Sequence, residues 1–154
     1  VSTRRRRAGC APGRSSSIFI ETYSDTTGWD DAALLAKWSR IREVRELANK
    51  QIETVRAAGQ LGSSLQATIA ITANAEDHAL LASLGDGLKF VTITSEATLA
   101  PGAELAISVM PSTAVKCERC WHYRDDVGHD AAHPTICGRC TSNLYGAGEV
   151  RRVA

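Results

Sequence analysis

The stretch Lys116–Asn143, KCERCWHYRDDVGHDAAHPTICGRCTSN, decides how the rest of the chain is read. Four cysteines stand in two C-x-x-C pairs with sixteen residues between the pairs. Pairs separated by about 15–20 residues have the spacing of zinc sites. Two residues between cysteines let a tight knuckle aim both sulfurs at one ion, and two knuckles complete a tetrahedron with Zn–S distances of about 2.3 Å. Cys117, Cys120, Cys137 and Cys140 are therefore the expected ligands of one Zn2+. Four thiolates leave no position for water, so the metal is expected to be structural. An iron–sulfur cluster or a redox pair would use the same residue types. Gly138 is expected to give the second knuckle a permissive backbone.

The metal also accounts for how so short a segment folds. Residues 116–154 hold few large apolar side chains, and burial alone does not stabilise a unit of that size. Structural zinc contributes about 10–16 kcal/mol in small zinc peptides. His122, His129 and His133 lie inside the loop and carry ligand chemistry, but with four cysteines in register they read as exposed loop residues. Trp121 follows the first knuckle directly. Presented outward beside Lys116, Arg119 and Arg139, its indole would stack on an unpaired base. Packed inward, it would cover the neighbouring module. Arg151 and Arg152 extend the basic character to the tail.

Upstream, Asp30 to Ala58 reads as a long helix. Leu34, Trp38, Ile41, Val44, Ala48, Ile52 and Val55 recur at steps of three and four, which makes one apolar stripe. Asp30 or Asp31 suits the start and Gly59 the end. Arg42–Glu46 and Glu46–Lys50 stand one turn apart and can pair. Next, GQLGSSLQATIAITA turns the chain and alternates, with Leu65, Ala67, Ile69 and Ile71 on one strand face. Ala75 to Leu84 reads as a short helix closed by Gly85. LKFVTITS and ELAISVM read as two further strands about a Pro101-Gly102 turn. The order is helix, strand, helix, strand, strand. The expected fold is α+β: a long helix and a small three-stranded sheet with helices, followed by a four-cysteine zinc ribbon. Four segments are expected: 1–28 loose, 29–62 helical, 63–115 mixed, and 116–154 the zinc tail.

Composition limits the function classes. The net charge is +1 over 154 residues, so bulk charge names no partner. Its distribution runs +3 over residues 1–28, +1 over 29–62, −4 over 63–115 and +1 over 116–154. A zinc ion with four thiolates carries a charge of about −2, so any nucleic-acid contact of the tail is a local patch rather than a broad field. The Arg4–Arg7 run reads as a solvated end that could touch nucleic acid, and Cys10 as an unpaired thiol. No stretch is long and apolar enough to span a bilayer. The cysteine pattern suits a reducing cytoplasm better than a secreted disulfide framework. The chain opens on Val1 rather than Met, which fits a fragment or an alternative start. G-x-x-x-x-G-K-[ST], G-x-G-x-x-G and G-x-S-x-G do not occur, and Asp125-Asp126 reads as a solvated loop pair. The residues point to a binding or structural module.

At KCERCWHYRDDVG…ICGRCTSNLYGAGEVRRVA the tail resembles the C-terminal zinc domain of bacterial isoleucyl-tRNA synthetases. WSRIREVRELANKQIETVRAAGQLGSSLQATIAI resembles the last helix of that enzyme's anticodon-binding domain with the turn after it. FVTITS resembles its junction segment, and PGRSSSIFIETY the stretch before the helix. The resemblance covers residues 12–154; Val1 to Ala11 do not match. It implies a monomeric cytoplasmic enzyme that uses ATP to attach isoleucine to its tRNA. The HIGH-like and KMSKS-like motifs of that activity, and the editing domain, do not occur in this sequence. The resemblance thus implies the terminal tRNA-contacting part of a ligase, non-catalytic by itself. Its partners would be isoleucine-accepting tRNA and the catalytic domains of the same enzyme. It implies zinc on the four cysteines and tRNA contact at Trp121 and nearby basic residues. Two alternatives carry a similar finger: a formamidopyrimidine-type DNA glycosylase gripping duplex DNA, and a stand-alone zinc ribbon mediating protein contacts.

Overall fold

The computed structural model describes residues 25–149. The Arg4–Arg7 run, Cys10, and Arg151 and Arg152 lie outside them. The chain divides into two units, Val1–Ala32 and Ala33–Ala154. In the first, the described residues form a turn. Asp25 Oδ1 accepts from the Thr27 amide at 2.9 Å and the Thr27 hydroxyl at 2.6 Å.

The second unit is built on the long helix α1, Ala32–Ala57, which straddles the boundary. Ile41, Val44, Ala48 and Ile52 are buried along one face. The stripe fails at its beginning, where Leu34 and Trp38 are exposed. The core under the helix reaches only its later turns. The helix stops where Gly59 takes φ +73°, donating to the Arg56 carbonyl at 2.9 Å while Gln60 donates to Val55 at 3.2 Å. Only glycine adopts that left-handed geometry without strain. The surface pairs form at i,i+3, Arg40–Glu43 and Glu53–Arg56, instead of the expected Arg42–Glu46 and Glu46–Lys50.

The three-stranded sheet follows. β1 (Ala67–Ala73) is central, β2 (Glu96–Pro101) runs parallel to it, and β3 (Ala106–Pro111) runs antiparallel on its other side. Alternation places Ala67, Ile69, Ile71 and Ala73 in the core. Val44, Ile69, Ile71, Leu81 and Leu88 form one buried cluster, and Ile52, Leu61 and Ala67 a second. Leu65 sits before the strand, in a 3-10 turn over Ser64–Gln66. The Pro101-Gly102 step joins no hairpin, because β2 and β3 flank β1. Gly102 instead donates to the Ala73 carbonyl at 2.8 Å.

A parallel pair requires a crossover, here made by α2 (Ala75–Ala82) and α3 (Leu88–Thr92). Asn74 caps α2 by accepting from the Asp77 amide at 3.0 Å. Asp77, 4 % exposed, receives a two-point bond from Arg40 of α1, Nε to Oδ1 at 2.8 Å and Nη2 to Oδ2 at 2.7 Å. Helix α3 corrects the strand expected over LKFVTITS. Its β-branched residues suit a strand by propensity, but the Thr92 hydroxyl bonds back to the Leu88 carbonyl at 3.0 Å and to Thr94 Oγ1 at 2.9 Å. Those bonds satisfy polar groups inside the core, while Leu88 anchors the helix there. Ile93 ends the turn at φ 55°, and β2 begins at Glu96.

Candidate metal centre and its aromatic edge

The finger opens with a short hairpin, β4 (Val115–Lys116) against β5 (Tyr123–Arg124). Between its strands lies the first knuckle. The Cys117 amide donates to the His122 carbonyl, and the Trp121 amide closes onto the Cys117 carbonyl, each at 2.9 Å. Closing so tight a loop puts Trp121 at φ 65°. The second knuckle runs from Cys137 into α4 (Gly138–Tyr145).

The four sulfurs converge. Cys117 Sγ lies 3.8 Å from Cys140 Sγ, and Cys120 Sγ lies 3.7 Å from Cys137 Sγ. All four lie within 4.8 Å of one another. A disulfide requires about 2.05 Å. A tetrahedron of Zn–S bonds of about 2.3 Å has edges of about 3.8 Å, so the cluster fits one zinc ion. Cys117, Cys137 and Cys140 are fully buried and Cys120 partly so. Burial resists ionisation of Cys117, but the amides of Cys120, Cys137 and Arg119 outweigh it and bring the thiol down to about 6. Burial pushes Cys120 and Cys137 up. Such thiols carry their charge stably only against a cation. Arg119 Nη1 lies 3.6 Å from Cys140 Sγ, and the Cys137 amide lies 3.3 Å from Cys117 Sγ.

Gly138 has a different role from the one expected. It is helical, and the positive φ falls on Trp121. A Cβ at Gly138 would stand 3.0 Å from Asp126 Oδ2, which accepts from the Gly138 amide at 3.2 Å. Asp126 is held in turn by Arg124, Nε to Oδ1 at 2.8 Å. The Arg124 guanidinium keeps the Asp126 carboxyl below its ordinary range. A carboxylate at the first turn of α4 also meets the positive end of the helix. Asp126 is therefore a structural strut rather than a solvated acid.

The histidines do not join the sulfur cluster. His133 stacks on Tyr145 with centroids 3.9 Å apart, and His129 is exposed. His122 is half-buried rather than exposed. Its Nδ1 lies 3.1 Å from the Cys120 carbonyl, and burial depresses its basicity. Its ring meets the edge of Phe90 at 5.6 Å. The Phe90 ring also meets two cations, the Arg139 guanidinium at 5.0 Å and Lys89 Nζ at 5.6 Å from its centre. Ser95 completes the join between finger and sheet: its hydroxyl donates to the Leu65 carbonyl and accepts from the Tyr123 amide at 2.5 Å. Phe90 and Ser95 were not legible as site residues, because their partners lie far away in sequence.

Of the basic residues around Trp121, Lys116 is beside it, with Nζ 5.5 Å from the ring centre. Trp121 itself is 59 % exposed. Arg119 turns toward the sulfurs, and Arg139 forms a two-point pair with Glu149. The outward indole with Lys116 is thus the open edge of the site.

Comparison with known proteins agrees with this geometry. Residues 116–143 match a family model described as a zinc finger found in FPG and IleRS. The chain is 55 % identical over 144 residues to the isoleucine–tRNA ligase of Ralstonia pickettii, covering 91 % of this chain and 15 % of that protein. It is 54 % identical over 137 residues to the isoleucine–tRNA ligase of Bordetella pertussis, covering 88 % and 14 %, and 48 % identical over 144 residues to that of an Azoarcus species. The chain therefore spans about one-seventh of the length of these curated relatives. Over most of its own length it resembles the C-terminal part of isoleucine–tRNA ligases. Among the described residues no helix is long and apolar enough to cross a membrane.

Proposed function

We propose that this chain is the C-terminal tRNA-binding portion of an isoleucine–tRNA ligase. In the longer, cytoplasmic protein the ATP-dependent attachment of isoleucine would be carried by other domains. The observation that supports this reading most directly is Trp121. The chain holds a bulky residue in the left-handed region, where it costs of order 1–3 kcal/mol, and leaves its ring in solvent beside Lys116. An apolar ring earns nothing in that position unless something stacks on it. An unpaired base does so, and Lys116 then lies within reach of its phosphate.

Zn2+ on Cys117, Cys120, Cys137 and Cys140 would act structurally. It would hold the two knuckles together and thereby fix the indole's direction. The high identity to ligases over nine-tenths of the chain favours this reading over a glycosylase finger or a protein-binding ribbon. Segments 29–62 and 63–115 would then be the end of the anticodon-binding domain and a junction module.

The test is binding of isoleucine-accepting tRNA to the zinc-loaded chain at fixed salt. Trp121→Ala is expected to weaken it by roughly 1–3 kcal/mol with one zinc retained. An unchanged dissociation constant would reject the stacking role. Equal binding of duplex DNA would move the assignment to the glycosylase class.

A further inference from the structure

A second surface adjoins Phe90. A groove of about 350 Å³ is walled by Trp38, Arg42 and Arg45 of α1, by Phe90 and Val91 of α3, and by Ile93 just after it. Trp38, Phe90 and Ile93 are all more than one-third exposed. No acidic residue lines the groove. Neither Arg42 nor Arg45 pairs with a carboxylate among the described residues, whereas Arg40, Arg56, Arg124 and Arg139 all do. Arg45 Nε is buried and finds no acceptor. A guanidinium so placed gains a hydrogen bond by turning outward to an anion. Ile93, at φ 55° with its side chain exposed, holds the outer lip in a conformation that β-branched residues avoid.

We infer that this groove is a second RNA contact, taking one unpaired nucleotide with its base against Trp38 or Phe90 and its phosphate on Arg42 and Arg45. The inference rests on the RNA-binding reading above. Charge complementarity selects the occupant: flat rings interleaved with unneutralised guanidinia match a base and a phosphodiester. Continuity supports it, because the Phe90 ring that lines the groove also touches His122, the neighbour of Trp121.

The experiment measures the affinity of the zinc-loaded full chain for isoleucine-accepting tRNA as a function of salt, for the parent, Arg42→Gln, Arg45→Gln, Arg45→Lys and Trp121→Ala. Each Arg→Gln change is expected to weaken binding several-fold and to lower the slope of log affinity against log salt by about 0.7, the value for one phosphate contact on a single strand. Arg45→Lys should restore the slope. Parent-like affinity and slope in both Gln variants, with Trp121→Ala still weakened, would overturn the groove and leave the proposed function standing. Absence of tRNA binding by the parent would overturn both. Weaker binding with an unchanged salt slope would mean a packing role and would also overturn the groove. So would a change in sedimentation that showed the groove to join two copies of the chain.

Discussion

Replacing Ser95 by alanine tests how the finger is held to the sheet. The backbone bond from the Ser95 amide to the Ala67 carbonyl, 3.0 Å, survives the change. The two hydroxyl bonds do not. The Leu65 carbonyl loses its donor and the Tyr123 amide loses its acceptor. Ser95 is 5 % exposed, so water does not replace the hydroxyl at its own position. A buried polar group left unpaired costs about 1–3 kcal/mol. Leu65 and Tyr123 are both only half-buried, so both groups belong at the low end of that range. The loss should total about 2–3 kcal/mol, a large share of the roughly 5–15 kcal/mol that stabilises a domain. Urea unfolding of the zinc-loaded chain, followed by circular dichroism, measures it as a lower midpoint at unchanged slope. Zinc stoichiometry should stay at one, because no sulfur is touched, while transfer of zinc to a chelator should quicken. A stability change below about 0.5 kcal/mol, the range of neutral surface substitutions, would refute the reasoning and show that Ser95 does not anchor the finger.

Cys137→Ser should abolish stoichiometric zinc and raise amide exchange after residue 115. The helix–sheet core should stay protected, since the sulfur cluster shares no residue with the two apolar clusters. Arg40 holds the Asp77 carboxyl below its ordinary range. A depressed carboxylate contributes stability that is present above its unfolded pKa, about 3.9, and is lost as pH falls through the lower folded value. Asp77→Asn should therefore remove about 1–2 kcal/mol at neutral pH, since Arg40 is partly exposed to screening solvent, and bring parent and variant together in acid. Ile93→Gly should stabilise the chain by about 1 kcal/mol in thermal melts by relieving the left-handed isoleucine.

The gathering of Cys117, Cys120, Cys137 and Cys140 into one cluster was legible in the sequence because ligand spacing acts locally: the interval that lets two sulfurs face one point is written in consecutive residues. The helix and central strand were legible for a related reason. Ile41, Val44, Ala48 and Ile52, then Ala67, Ile69, Ile71 and Ala73, repeat with the periods of the elements they form. What escaped depended on distant partners. FVTITS carries strand propensity, yet Thr92 and Thr94 satisfy each other inside the core and the segment coils. Leu34 and Trp38 continue the stripe beyond the core beneath it. The left-handed position fell on Trp121, and Gly138 served close approach to Asp126. No local pattern announces either outcome.

The position of Phe90 has a thermodynamic consequence. One ring touches His122 and Arg139 of the finger while it lines the groove beside α1. Coupling of this kind is reciprocal. If zinc loading seats the ring and so tightens whatever enters the groove by some factor, the occupant must tighten zinc by that same factor. Metal affinity measured with the groove empty then understates the hold on zinc when it is filled, and a chelator becomes a reporter of groove occupancy.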